Sequence, residues 1–188
     1  MSINLAKSQK VNLSKTAPKL KNVCVGLGWD ANKFALFGID CDAYAYLRDN
    51  TGNVTETVYF GHRFGTGVEH SGDNLTGRGD GDDERIMIHL DKVPANCTSI
   101  VIAVNIFMAK IKFQDFGKIK NAFIRIVNSE NNSEICRFDI SGNPEFKGKN
   151  SMIFGKLTKD DQQAWEFTAM GLPYDSESKM VAEIKQNI

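Results

Sequence analysis

The chain has 188 residues, 41% hydrophobic and 24% charged, which is enough apolar material for one full-sized core and too much for a disordered chain. Its 23 Lys and Arg residues balance 23 Asp and Glu, which excludes a global basic field for gathering nucleic acid or anionic lipid. No apolar run approaches the roughly 20 residues that span a bilayer, and the opening "MSINLAKSQKVNLSK" lacks the apolar segment of a signal peptide.

The expectation is a soluble, cytoplasmic protein of one domain over residues 1–188, with no nucleic-acid partner and no direct membrane insertion. In chain order, short segments rich in Val, Ile, Phe and Tyr predict strands near 22–27, 34–39, 43–48, 56–61, 85–90, 99–108, 122–128, 134–140, 152–159 and 164–170. In "AFIRIVN" the period of two places Ala122, Ile124 and Ile126 on one face, and Phe123, Arg125 and Val127 on the other. "SIVIAVNIFM" is almost continuously apolar, as a strand covered on both faces would be. A single helical turn is expected near 114–119. In the tail, Asp175 or Ser176 precedes Met180, Val181, Ile184 and Ile188 at helical spacing, which predicts a capped terminal helix. Many short strands and one terminal helix predict an all-β fold, a two-sheet antiparallel β-sandwich.

The cysteines, Cys24, Cys41, Cys97 and Cys136, are far apart, lack C-x-x-C spacing and sit among apolar residues, so they read as buried free thiols. The chemistry concentrates instead in "GDNLTGRGDGDDERIMIHL", residues 72–90, where five acids lie among glycines. Two unit charges about 4 Å apart repel by roughly 4 kcal/mol at an effective dielectric of 20, so the loop is either fully solvated or its charge is neutralised. Glycines at 72, 77, 79 and 81 allow backbone shapes in which carboxylates and carbonyls converge. Convergent oxygens suit calcium, whereas magnesium keeps more of its waters. The spacing is not that of an EF-hand, so ligands from several loops are expected. Asp40 and Asp42, two apart in "GIDCDAYAYL", share a face, and Asp30 closes "GLGWD"; the alternatives for these are a solvent-facing edge and a turn-initiating Asp.

Five segments together, "VGLGWDAN" (25–32), "IDCDAYAYL" (39–47), "VEHSGDNLTGRGDGDDERI" (68–86), "NAFIRIVN" (121–128) and "WEFTAMG" (165–171), closely resemble the TerD-like family of tellurite-resistance and general-stress proteins. The resemblance runs through the whole chain in order. It implies a calcium-binding β-sandwich, with calcium as cofactor and two ions as the preferred count; because a metal already saturated by carboxylates has no open position for substrate, an enzyme is not expected. It also implies work at the inner membrane face with other tellurite-resistance proteins, including an integral membrane partner. Carried onto this sequence, the acidic motif falls on Asp73, Asn74, Asp80, Asp82, Asp83 and Glu84, with Asp30, Asp40 and Asp42 from earlier segments and Thr76 as a carbonyl donor. One departure is Gly38, two positions before Asp40, where members often carry an acid.

Three rival readings have a foothold. A metal-assisted hydrolase with His70 as base is the alternative function, since His70 lies close in sequence to the acids. Arg78-Gly79-Asp80 imitates an adhesion motif but sits in a Gly/Asp-rich loop without a secretory signal. Lys110, Lys112, Lys118 and Lys120 interleave with Phe113 and Phe116, a pattern that a solvated rim with buried aromatics explains as well as nucleic-acid binding does.

Overall fold

The computed structural model describes residues 3–4, 9–13, 20–30, 38–75, 77, 81–160 and 164–188. In chain order the strands are β1 (Ile3–Asn4), β2 (Lys10–Asn12), β3 (Asn22–Asp30), β4 (Cys41–Asp49), β5 (Val54–Val58), β6 (Phe64–Gly65), β7 (Val68–His70), β8 (Glu84–His89) and β9 (Cys97–Ile106). A four-residue helix α1 (Ala109–Lys112) follows, then β10 (Lys120–Asn128), β11 (Ser133–Asp139), β12 (Ser151–Lys159), β13 (Trp165–Tyr174) and helix α2 (Glu177–Gln186). One sheet has the order β1-β11-β10-β3-β8-β7-β6, and the other β2-β13-β12-β9-β4-β5. Pairing is antiparallel throughout except between β1 and β11.

Alternation decides which residues fill the space between the sheets. Ile86 and Ile88 of β8 and Ala122, Ile124 and Ile126 of β10 point inward, against Ile100, Ile102, Phe154 and Phe167 of the facing sheet. The continuously apolar strand β9 lies between β4 and β12 and is covered on both sides. Its Ile100, Ile102 and Val104 face the inter-sheet core, while Val101 and Ala103 pack with Tyr44, Tyr46 and Ile153 beneath α2. Helix α2 begins where Ser176 accepts a hydrogen bond from Lys179 N–H, and it seats Met180 and Ile184 on that outer cluster. The expected all-β architecture with a terminal helix is the one observed, and all four cysteines are free and buried.

Boundaries differ where local geometry outweighs composition. The strand expected at 56–61 is Val54–Val58, because Tyr59 and His62 exchange hydrogen bonds at 3.1 and 3.0 Å and close a turn there. The strand expected at 99–108 ends at Ile106, since Met108 adopts a left-handed φ of 54° and starts α1. For the strand expected at 34–39, residues 34–37 lie outside the described residues and Gly38 and Ile39 are not in a strand. The expected turn near 114–119 is a 3₁₀ turn at Phe116–Lys118, capped by Asp115. Strands β2, β6 and β7 are two or three residues long, too short to show a period.

Candidate functional site

Asp40 and Asp42 stand at the start of β4, and Asp73 lies in the connection from β7 to β8. Oxygens of all three carboxylates lie within 4.8 Å of one another. Asp40 is 5% exposed and Asp42 1% exposed, while Asp73 is open to solvent. Asp40 Oδ1 and Asp42 Oδ2 have no hydrogen-bond partner among the described residues.

That arrangement is unfavourable for free carboxylates. Burial, then the neighbouring Asp73, pushes the Asp40 carboxyl up to about 6, with Lys112 opposing. Burial, then Glu84, Asp40 and Asp73, pushes Asp42 up to about 8. An all-oxygen set of partly unpartnered, mutually repelling acids is the donor chemistry that a hard divalent cation relieves, so the residues present fit calcium.

Glu84 sits behind this cluster, fully buried at the first position of β8. Its Oε2 accepts from Ala43 N–H at 2.8 Å, and its Oε1 accepts from Asn74 N–H at 3.4 Å. It thereby ties the β7–β8 loop of one sheet to β4 of the other. His70 lies beside it: Nδ1 accepts from Gly72 N–H at 3.0 Å, and Nε2, 3.4 Å from Glu84 Oε2, has no hydrogen-bond partner among the described residues.

The other acids separate from the cluster. Asp83 Oδ2 accepts from Trp29 N–H at 2.9 Å and Oδ1 from Asn74 Nδ2 at 3.0 Å, and burial raises its pKa against those two hydrogen bonds. Asn74 Oδ1 accepts from Gly77 N–H, folding the loop tip against the Trp29 indole. Asp82 turns to the outer face of the first sheet, over Gly26, where Arg125 Nε donates to it at 2.7 Å. Arg125 also bridges to Glu134 at 3.1 Å. Asp30 accepts from Asn121 Nδ2 at 2.7 Å beside a cavity of about 470 Å³ that Arg137 and Asp139 also line. Thr76 and Asp80 lie outside the described residues.

Composition did not reveal Asn105. It pairs in register with Asp42, is buried, and leaves Oδ1 without a partner among the described residues while Nδ2 donates to Tyr44 at 3.5 Å. The available signal was one amide inside the otherwise apolar run "SIVIAVNIFM".

A family model described as the TerD domain matches residues 1–183. The chain belongs to the TerD family. It is 41% identical over 179 residues to the tellurium resistance protein TerD of Alcaligenes sp, with 93% of this chain and 92% of that one covered. It is 41% identical over 180 residues to general stress protein 16U of Bacillus subtilis (strain 168), again with 93% and 92% covered. A solved homologue of a telluride resistance protein (TerD) from Streptomyces coelicolor A3(2) superposes with a TM-score of 0.74 at 20% identity, covering 89% of this chain and 96% of that one, a likeness of fold.

In this TerD-family chain the acidic loop fits closely against β3. A Cβ at Gly28 would stand 2.3 Å from the Gly81 carbonyl oxygen and 2.5 Å from the Phe123 ring. Gly28→Ala therefore costs about 1–3 kcal/mol in urea unfolding by forcing the loop outward. A midpoint equal to that of the wild type would show that residues 81–84 yield without cost.

Proposed function

We propose that this tellurium-resistance and general-stress family member binds calcium at Asp40, Asp42 and Asp73 and acts as a calcium-dependent binding module rather than as an enzyme. The observation that carries this reading is the pair of buried, unpartnered oxygens, Asp40 Oδ1 and Asp42 Oδ2, on the two carboxylates that converge with Asp73. Calcium bound there supplies positive charge that offsets three converging acids, with tolerance for irregular oxygen geometry that magnesium lacks. Glu84 and His70 hold the β7–β8 loop in place for that contact. Asn105 Oδ1 is a neutral oxygen on the strand beside Asp42. In this reading the protein serves in resistance to tellurite and other stresses, in the cytoplasm at the inner membrane face. Its partners are other tellurite-resistance proteins, one of them integral to the membrane.

The hydrolase alternative gains nothing from the geometry. His70 is 2% exposed and its Nδ1 is occupied by Gly72 N–H, so the ring is held in the loop away from solvent, not placed to take a proton from water. Asp30, Asp82 and Asp83 are each held by protein donors, so the reading assigns one ion to the cluster.

Calorimetric titration of calcium into chelated protein, with magnesium as competitor, tests this. The expected result is one calcium per chain, little competition from magnesium, and release of close to one proton near neutral pH, because Asp42 holds its proton up to about pH 8. Repeating the titration in buffers of different ionisation enthalpy reads that proton. Absence of calcium heat, or equal affinity for magnesium, overturns the assignment.

A further inference from the structure

Helix α1 carries a lysine to the acidic cluster along a fixed backbone path. Two left-handed residues bracket the helix, Met108 at φ 54° and Phe113 at φ 51°, a conformation rare for bulky side chains. Buried Ala109 anchors it, its carbonyl accepting from Gln114 N–H at 2.8 Å. Both ends are tied to the entry of β4: Phe107 N–H donates to the Asp40 carbonyl at 2.8 Å, and Gln114 Nε2 donates to the Gly38 carbonyl at 3.2 Å. Lys112 Nζ then lies 5.4 Å from the centroid of the Phe107 ring, above the residue that is hydrogen-bonded to Asp40.

The neighbouring lysines are placed differently. Lys118 sits 3.6 Å from Asp115 and donates to the Phe113 carbonyl at 2.5 Å. Lys110 is exposed, whereas Lys112, on the same four-residue helix, is half-buried. The charge of Lys112 opposes that of Asp73 and Glu84 at Asp40, and the charges acting on Asp42, from Glu84, Asp40, Asp73 and Glu177, are all negative. The cluster is thus three acids with a lysine held at its edge.

We propose that Lys112 sets the calcium affinity of the acidic cluster, acting as a built-in counter-cation against which calcium binds. The proposal rests on the calcium reading of Asp40, Asp42 and Asp73. Its effects in the two states have opposite signs. In the calcium-free chain the lysine offsets part of the repulsion among the acids and stabilises the fold. In the calcium-bound chain it repels a doubly charged ion held by the same carboxylates and weakens binding. A side chain that only packed on Phe107 would produce no such crossing, because a residue shifts a binding equilibrium only through its different interactions with the free and bound states. Repulsion between one charge and a divalent ion within about 10 Å is worth about three- to tenfold in affinity at low salt. It fades at 1 M salt, where the Debye length is about 3 Å.

Calorimetric titration of calcium into metal-stripped protein, at about 20 mM and about 1 M sodium chloride, tests this together with melting curves in chelator. Lys112→Met keeps an apolar stem of similar length over Phe107. It is expected to bind calcium about three- to tenfold more tightly than wild type at low salt and within about twofold of it at high salt. In chelator at low salt the same variant melts about 1–3 °C below wild type, and the gap closes at high salt. Lys112→Arg keeps the charge and stays within about twofold of wild type throughout. Lys110→Met removes the same charge from an exposed position and changes affinity less than about twofold.

Unchanged calcium affinity of Lys112→Met at low salt overturns the proposal, and a melting gap that persists at high salt then assigns Lys112 to packing on Phe107. Equal gains from Lys110→Met and Lys112→Met also overturn it, because the effect would belong to net charge. A wild type that takes up no calcium overturns the calcium reading and this proposal together. Calcium heat in the wild type that is indifferent to Lys112 overturns this proposal alone.

Discussion

Asp42→Asn raises the melting temperature of the calcium-free protein at about pH 8 and removes most of its stabilisation by calcium. Asp42 is pushed from 3.8 up to about 8, and Asp40 from 3.8 up to about 6, so the folded chain holds these protons more tightly than the unfolded chain. The resulting stability is complete below about pH 4 and is lost as pH rises through 6 and then 8. Ionised Asp42 therefore weakens the calcium-free fold by roughly 2–4 kcal/mol, since each tenfold change in proton affinity is worth about 1.4 kcal/mol. An amide of the same shape avoids that cost and removes one of the carboxylates proposed to hold calcium. Wild type with calcium at a hundredfold excess over its dissociation constant gains roughly 2.7 kcal/mol, and the variant gains little. Melting curves with chelator and with calcium measure both effects. A variant less stable than wild type without calcium would sink the account of the cluster, as would one with an undiminished calcium response.

Glu84→Ala destabilises the fold by about 3 kcal/mol with or without calcium. The carboxylate is fully buried and joins the two sheets through Ala43 N–H, while holding the loop through Asn74 N–H and facing His70. Its loss strands the buried Ala43 N–H, which is costly to leave unmade, and removes the carboxylate 3.4 Å from the His70 Nε2. Glu84→Gln retains an acceptor for Ala43 and costs about 1 kcal/mol. Urea unfolding distinguishes the two. If Glu84→Ala stays within about 0.5 kcal/mol of wild type, the cross-sheet tie carries no stability. Glu84, expected among the metal ligands, is here also the group that ties the β7–β8 loop to β4.

The legible parts of the fold are those in which burial repeats locally. "SIVIAVNIFM" announced a strand covered on both faces, and β9 has the inter-sheet core on one side and α2 on the other. Ser176 with Met180 and Ile184 announced the terminal helix. What escaped were segments whose structure depends on a distant partner. β7 is three residues long and owes its place to β8 and β6, and the end of β9 depends on one left-handed residue, Met108.

The acids divide along the same line. By itself the sequence determined the β-rich fold, its inward faces, the family, and the presence of an acid-rich loop near two more acids. Only the tertiary structure decided which carboxylates share a point and which have protein partners. Asp82 and Glu84 are two residues apart, yet one lies on the outer face against Arg125 and the other is buried against Ala43 N–H. Those partners are 43 and 41 positions away. The physical reason is that the energy of a carboxylate is dominated by its nearest counter-charge or donor and by its access to water. Both are set by strands that meet only when the two sheets close.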